Sequence, residues 1–528
     1  MPFNKKSVFY NAGVMTLAGL ALQLLGFCYR IYLSRAAGAE ALGLYRLIMP
    51  VHSLSLALTI AGARMAETAL SAAYTLPQDR LRVRLLTRVC LTCYLSAFVP
   101  LSLAALAFTP QIARGFLGDV RITPAVPVML ACVFLTGFEL ILESVFLGLK
   151  RTRVTAISNV LEHLTQAMVV VLILELVKPT DPGVIAGYIV FGMLISEIPV
   201  VVWLGFSYAR LLREGPRRPK PPPEERRAVW RKVLKYALPV TAGGALTTGI
   251  ASLGTVLLPR RLAAAGLTES EALSQLGVIT GMAMPLMSLP MVFLSALSTV
   301  LLPAISGSRS RGAQRELERK IRKAVQAVGL IALPATAILL PLAPELARLL
   351  YGQELSGRYL LLLGVSVVLT DYQLVTMAIL NGLGEQTRAI RNVVLGETLE
   401  LACVYVLAAL PQLRIYGYIL GMIGCSSLVV FCNLRLIRRT AQVRLHFERC
   451  FLQPALVALV AGLMTNAVYL SFRQNLGAQW ALLPAFGIAV FVCILLYLLI
   501  GIRPVRYFRS VLEKKGSAPH AGAAVKKG

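Results

Sequence analysis

The sequence predicts an all-α integral membrane protein of about 14 transmembrane helices, built as two pseudo-symmetric six-helix lobes plus two C-terminal helices. Three observations predict it. Hydrophobic residues make up 57% of the 528 and charged ones only 15%, with a mean hydropathy of +0.71, whereas soluble globular chains carry about 25% charged residues. Apolar windows of the roughly 20 residues that a span needs recur along the chain. Short apolar words also repeat at a shift of about 235 residues.

The first window follows Met1-Pro2-Phe3-Asn4-Lys5-Lys6 and runs to about Leu33. It is too long for the apolar part of a signal peptide, and no small-residue cleavage site closes it, so it reads as the first span. Further windows centre near residues 58, 97, 135, 165 and 197, which makes residues 1–210 an N-terminal lobe of spans 1 to 6. Residues 211–230 contain Pro216-Arg217-Arg218-Pro219-Lys220-Pro221-Pro222-Pro223 and read as a basic, proline-stiffened cytoplasmic linker. Windows near 247, 290, 333, 370, 398 and 427 place spans 7 to 12 in a C-terminal lobe, 231–440. Windows near 461 and 491 add spans 13 and 14 within 441–502, and residues 503–528 form a basic cytoplasmic tail.

The charge distribution sets the orientation. The formal net charge is +28, from 53 basic and 25 acidic residues. Under alternating topology most of the Lys and Arg fall on the face that holds the N-terminus: Arg80 to Arg88, Lys150 to Arg153, the linker, Arg309 to Lys323, Arg435 to Arg449 and the tail. The opposite face holds few, among them Arg35, Arg114, Lys178, Arg260, Arg261 and Arg414. Positive residues stay cytoplasmic, so the expectation is a multi-pass cell-membrane protein with both termini cytoplasmic. Charge in short loops beside spans fits anionic membrane lipid as the partner and excludes nucleic acid.

Metal and redox chemistry find no support. Cys28, Cys132, Cys403, Cys425, Cys432 and Cys493 lie in apolar stretches, where Cys packs as a small hydrophobe. Cys90 and Cys93 form a lone CxxC without a second pair or a βαβ context, and His52, His163, His446 and His520 are scattered. No cofactor and no metal are expected, and no enzymatic activity.

The internal repeat points to transport. Met49-Pro50-Val51-His52-Ser53-Leu54 matches Met284-Pro285-Leu286-Met287-Ser288-Leu289, Leu25-Gly26 pairs with Leu253-Gly254, and Gly148-Leu149-Lys150-Arg151-Thr152-Arg153 resembles Gly382-Leu383-Gly384-Glu385-Gln386-Thr387-Arg388. Six spans separate the copies, so both start on the same membrane face. Parallel repeats of this kind occur in transporters whose halves rock about a site at their interface. A static duplicated scaffold is the alternative. Pro50 and Pro285 each remove a backbone hydrogen bond within the repeat and are candidate hinges.

Ionisable groups in hydrocarbon cost roughly 2.5–3.5 kcal/mol on insertion scales, so they face a cavity or a partner. Arg30 sits well inside span 1 with no acid at i±3 or i±4, and needs a carboxylate from another span or an anionic ligand. Arg46 opens span 2, where it either snorkels to the interface or lines the cavity. Arg64 lies deeper in span 2 with Glu67 three residues on, and an intrahelical ion pair is the simplest reading. Glu139, Glu143, Asp371 and Glu397 are candidate coupling carboxylates, and Glu162, Glu197 and Glu400 are further acids within spans. A guanidinium in span 1 favours an anionic substrate, since its planar fork binds phosphate bidentately.

The stretch Leu25-Gly26-Phe27-Cys28-Tyr29-Arg30-Ile31-Tyr32-Leu33-Ser34-Arg35, followed by Gly38-Ala39-Glu40-Ala41-Leu42-Gly43-Leu44-Tyr45, resembles the opening of the stage V sporulation protein B-like polysaccharide biosynthesis and export proteins. Leu297-Ser298-Thr299-Val300-Leu301-Leu302-Pro303-Ala304-Ile305-Ser306 and Leu349-Leu350-Tyr351-Gly352 resemble later blocks of that family. The family belongs to the multidrug/oligosaccharidyl-lipid/polysaccharide flippase superfamily. The resemblance implies a two-lobed helical bundle with a central cavity. It implies alternating access for a lipid-linked oligosaccharide or peptidoglycan-type precursor on an undecaprenyl pyrophosphate carrier, in cell-wall synthesis and sporulation. It also implies that Arg30, Arg46 and Arg64 match the cavity-lining arginines of the related lipid II flippases. Ile48-Met49-Pro50-Val51-His52-Ser53-Leu54 departs from the Leu-Pro-Asn-Leu-Leu-Arg-Arg type motif of those flippases. The alternatives are a cation-coupled multidrug antiporter of the same fold and a non-transporting scaffold among cell-wall synthesis proteins.

Overall fold

The computed structural model describes residues 5–74, 76, 79–214, 223–353 and 357–501. Among these residues every regular element is a helix. A helix satisfies each backbone polar group within its own segment, which is what hydrocarbon demands of a spanning chain. In order the helices are α1 (Lys5–Thr59), α2 (Ala61–Ser71), α3 (Arg80–Ala107), α4 (Ala125–Gly148), α5 (Thr152–Val177), α6 (Pro182–Arg213), α7 (Pro223–Ala264), α8 (Glu269–Gly277), α9 (Met291–Ser310), α10 (Gln314–Tyr351), α11 (Gly357–Gly382), α12 (Gln386–Leu407), α13 (Ile415–Ala441), α14 (Gln453–Leu476) and α15 (Leu482–Leu499).

Among the described residues twelve helices are long and apolar enough to cross a membrane, against the about 14 windows of the sequence. The difference has two sources. Residues 22–59, expected to hold parts of two spans, count once among the twelve although two helices meet there at Gly38, whose backbone is non-helical (φ 78°, ψ 171°). The window near 398 is helical as α12, which carries Arg388, Arg391, Glu397 and Glu400 and is not among the twelve. Most of the expected linker is helical as well. α6 runs to Arg213, and α7 starts at Pro223 with Glu224 and Glu225 in its first turn, a proline and acids where a helix N-terminus favours them. Residues 215–222 and the tail at 503–528 lie outside the described residues.

The described residues fall into two compact units. The first takes those within 1–292, 343–373 and 386–433; the second takes those within 293–342, 374–385 and 434–528. In the first, buried apolar residues of α1, α4 and α6 form one cluster around Leu44, Ile48, Met129 and Val190, and α2, α3 and α4 form another around Tyr94, whose hydroxyl donates to the Val133 carbonyl at 2.9 Å. In the second, Tyr497 of α15 packs on Leu330 and Val457 and donates to the Leu330 carbonyl at 3.0 Å. Where α6 ends, Glu214 accepts from Arg151 at 3.1 Å and lies 3.7 Å from Arg80. The hydrogen-bonded Arg151 guanidinium holds the Glu214 carboxyl below the usual carboxylate range.

The repeat seen in the sequence recurs in the packing. A Cβ on Gly43 would overlap the Leu273 carbonyl, and a Cβ on Gly277 would overlap the Ala39 carbonyl. Ala39 and Leu273, like Gly43 and Gly277, are 234 residues apart, so each member of this crossing has its counterpart across it. A Cβ on Gly148 would press on the Thr68 carbonyl, and one on Gly382 on the Leu302 carbonyl, again at that offset. Lys150 and Gly384 both hold positive φ, 58° and 72°, at equivalent helix ends. The offset then grows to 235 at Met49-Pro50 and Met284-Pro285, because a π-helical turn at Val278–Ala283 follows Gly277. A π-turn holds one more residue than an α-turn, and such turns gather at functional sites.

The glycine crossing yields a direct test. Gly43→Val and Gly277→Val each overpack it and are expected to lower unfolding stability in detergent by about 1–3 kcal/mol. Gly243→Ala and Gly254→Ala enter open space and are expected to be neutral or slightly stabilising, as Ala is favoured over Gly inside helices. Equal effects at all four positions would refute the close-approach role.

Candidate functional site

One cavity of about 340 Å³ lies next to the glycine crossing. Arg46, Met49, Pro50 and Ser53 of α1, a run of small and hydroxyl residues of α7 from Thr247 to Thr255, Thr280 of the π-turn and Glu397 of α12 line it. The local sequence explains each wall. Gly43 brings the two segments together, and Arg46 and Thr280 follow the paired glycines by three residues each, less than one turn. Arg46 donates from Nη2 to the Thr280 carbonyl at 3.2 Å. On α7 the run Thr241-Ala242-Gly243-Gly244-Ala245-Leu246-Thr247-Thr248 keeps side chains short, which leaves room for the cavity. The Thr247 hydroxyl bonds back to the Gly243 and Gly244 carbonyls at 3.2 and 3.1 Å, so its proton is used and its lone pairs remain as acceptors.

The predicted site residues separate into three groups. Arg46, Pro50 and Glu397 meet in this cavity, and Glu397 Oε2 is buried without a hydrogen-bond partner among the described residues. Arg30 does not line it. Its side chain is exposed, its electrostatic neighbours include Arg46, Tyr45 and Tyr351, and no carboxylate pairs with it among the described residues. Arg64 belongs to a third group, and its expected partner needs correction. Arg64 Nη2 donates to Glu143 Oε2 at 3.0 Å, whereas Glu67 accepts from the Thr87 hydroxyl at 2.9 Å. Three residues along a helix differ by about 60° in direction, enough to turn Arg64 toward α4 and Glu67 into the interface with α3, where it is fully buried.

Two further carboxyl sites are buried. Glu139 of α4 and Glu197 of α6 come within hydrogen-bonding reach of each other, and the Thr136 hydroxyl donates to Glu197 Oε1 at 2.7 Å. Asp371 of α11 is 0% exposed, and neither of its oxygens has a partner among the described residues. Pro285 is buried at the start of the short helical turn Met284–Met287 that follows the π-turn. The hydroxyl wall of α7 and the Glu139–Glu197 contact were not singled out from the sequence. The first had a visible signal, a span unusually rich in Gly, Ser and Thr. The second had none, because its members are on different helices.

A double-mutant cycle checks the rearranged ion pair. Arg64→Gln and Glu143→Gln are expected to couple in unfolding stability by about 0.5 kcal/mol or more, toward the low end because the Arg64 side chain is 43% exposed. The cycle of Arg64→Gln with Glu67→Gln is expected to couple less. The reverse order would sink the assignment.

Residues 8–309 match the family described as Polysaccharide biosynthesis protein. The chain is 25% identical over 497 residues to Stage V sporulation protein B of Bacillus subtilis (strain 168), a match covering 92% of this chain and 94% of that one. It is 22% identical over 414 residues to Sporulation protein YkvU of the same organism, covering 78% and 90%. Among solved structures it resembles lipid II flippase MurJ in an inward closed conformation, with a TM-score of 0.63 and 14% identity over 95% of this chain and 100% of that one. It also resembles the inward-facing conformation of a multidrug resistance MATE family transporter of the MOP superfamily, with a TM-score of 0.62 and 17% identity over 81% and 98%. These two likenesses give the fold, that of multi-pass membrane transporters. Since the family match spans more than half of the chain, this protein is a member of the polysaccharide biosynthesis protein family.

Proposed function

We propose that the chain is a flippase that moves a lipid-linked glycan precursor across the cell membrane by alternating access. The observation that carries this reading is the Arg46 cavity. It presents a guanidinium bonded to one backbone carbonyl, in no ion pair with a carboxylate among the described residues, beside a wall of hydroxyl groups. Its volume lies within the about 300–1,000 Å³ of small-molecule sites. A pyrophosphate accepts from the free edge of such a fork in bidentate fashion, and sugar hydroxyls exchange hydrogen bonds with Ser53, Thr247, Ser252 and Thr255. The polyprenyl chain stays in hydrocarbon throughout. Arg30, exposed and close to Arg46, adds positive potential where the headgroup enters. Repulsion between two guanidiniums, neither of them in an ion pair with a carboxylate among the described residues, is relieved by an anion, so binding is strongest for a doubly charged headgroup.

The cycle makes and breaks no bond. Pro50 and Pro285 sit in repeat-equivalent helices beside the cavity, and bending at these points switches which face it opens to. Asp371 and Glu139 are the carboxyls proposed to take up a proton or a cation during the return step, with Glu397 answering to substrate in the cavity. Glu143 is held by Arg64 and positions it. The orientation follows the Lys and Arg bias, with both termini cytoplasmic, and the basic segments rest on anionic lipid. Cell-wall synthesis proteins would supply and consume the lipid-linked precursor. The buried Asp371 also favours a second reading, cation-coupled export of a small molecule on the same fold.

The test uses purified protein in liposomes with a fluorescent undecaprenyl-pyrophosphate sugar in both leaflets and an external quencher. Wild type is expected to move the lipid well above protein-free liposomes, and Arg46→Ala and Arg30→Ala each to lose at least tenfold of the rate. Wild-type rates in both variants would overturn the anion-site assignment. Under a proton or sodium gradient, Asp371→Asn is expected to remove the gradient dependence while leaving lipid binding intact. Retained dependence would remove Asp371 from the coupling role. Loss of gradient-driven export of a small cation with no effect of Arg46→Ala would favour the second reading.

A further inference from the structure

Two exposed arginines outside the cavity make reciprocal contacts. Arg35, three residues before the backbone break at Gly38, donates from Nε to the Leu350 carbonyl at 2.7 Å and from Nη2 to the Leu349 carbonyl. Arg260, near the end of α7, donates from Nη2 to the Phe116 carbonyl at 3.0 Å and to the Gly115 carbonyl. Both acceptor pairs are helix ends. Leu349 and Leu350 belong to the last turn of α10, and Gly115 and Phe116 to the π-helical turn Ile112–Leu117 beyond α3.

The two ends carry one sequence word. Ala113-Arg114-Gly115-Phe116-Leu117-Gly118 and Ala347-Arg348-Leu349-Leu350-Tyr351-Gly352 are 234 residues apart, the offset of the glycine crossing. Each closes on a glycine with positive φ, 88° at Gly118 and 70° at Gly352, the conformation that ends a helix and turns its last carbonyls outward. Arg35 and Arg260 likewise sit near the ends of the helices that open the two repeats. The arginine of the first half of the chain therefore holds a helix end of the second half, and the arginine of the second half holds the equivalent helix end of the first. A Cβ on Gly118 would lie 2.8 Å from Arg260 Nε, so glycine there also keeps space for the guanidinium.

The chemistry suits a contact that opens. The last carbonyls of a helix lack intrahelical partners and carry partial negative charge, so a guanidinium fork is held without a carboxylate. Breaking the contact leaves two neutral carbonyls and an exposed cation, all of which water solvates. A buried carboxylate pair would instead strand a charge. The acceptor ends are repeat-equivalent, and the arginines, 225 residues apart, reach them from the corresponding helices, so one movement of the halves breaks both.

We infer that Arg35 and Arg260 form a two-fold clasp that holds this face of the molecule shut, and that its release is the opening step on that face. The inference rests on the alternating-access reading above, and by the Lys and Arg bias the face is the outer one.

Amide hydrogen exchange on the full-length protein in lipid nanodiscs tests it, comparing wild type with Arg35→Ala, Arg260→Ala and Arg35→Lys. Arg35→Ala is expected to speed exchange about two- to fivefold at residues 349–353, which Arg35 touches, and equally at residues 115–122, which it does not. Arg260→Ala is expected to give the mirror result. Arg35→Lys, which keeps the cation but only one well-placed donor, is expected to fall between. Exchange in α14 and α15 reports global folding and is expected to stay at the wild-type rate. Acceleration confined to the segment each arginine touches, or none at either, overturns the clasp. The readout needs no substrate, so coupled exchange in a protein that moves no lipid would sink the flippase reading and leave the clasp standing.

Discussion

The crossing of residues 39–43 on residues 273–277 is the contact from which the candidate site takes its geometry. Two glycines each admit the other segment's backbone, so the helices approach more closely than any side chain allows. In a membrane, where lipid is as apolar as leucine, such close packing and polar bonds between helices hold a bundle together. Once the crossing is set, Arg46 and Thr280, each three residues on, must face each other. The extra residue of the π-turn then shifts the second copy out of strict symmetry, and α7 with its short side chains leaves the space beside them open. A cavity thus forms next to the tightest contact.

The intramembrane charges divide by how they are satisfied. Arg64 and Glu143 neutralise each other across two helices, while buried Glu67 accepts from the Thr87 hydroxyl at one oxygen and has no partner at Oε2 among the described residues. The charges of the Arg64–Glu143 pair have each other as partners in the state described. Arg46, Arg30, Glu397 and Asp371 are different. Their partners are a carbonyl at most, or none among the described residues. In a low-dielectric interior an unmatched charge is costly, and the cost is relieved when a ligand or an ion supplies the missing charge. The arginines of the clasp form a third class, held by helix-end carbonyls and free to return to water.

Much of this was legible in one sequence. Composition and window length require helices that span a membrane, and Met49-Pro50 with Met284-Pro285 marks the duplicated segment that carries the cavity. Arg30, Arg46 and Glu397 stand out because an ionisable residue inside an apolar run has few innocent explanations. The helix boundaries were less legible, because hydropathy counts windows whereas backbone angles such as those at Gly38 decide where one helix ends and the next begins.

What the sequence determined by itself was the solvent of the chain, its helical class, its repeat and the short list of charges that need an explanation. These depend on composition and local spacing, which a linear string records in full. Only the tertiary structure decided the partners. Arg64 prefers Glu143, 79 positions away, to Glu67 three positions on. Arg35 reaches a helix end more than 300 residues distant. Glu139 meets Glu197 through the packing of α4 on α6. Side-chain direction on a helix turns by about 100° per residue, so a neighbour in sequence commonly faces away while a distant residue faces in, and which one meets a given charge is fixed by packing alone.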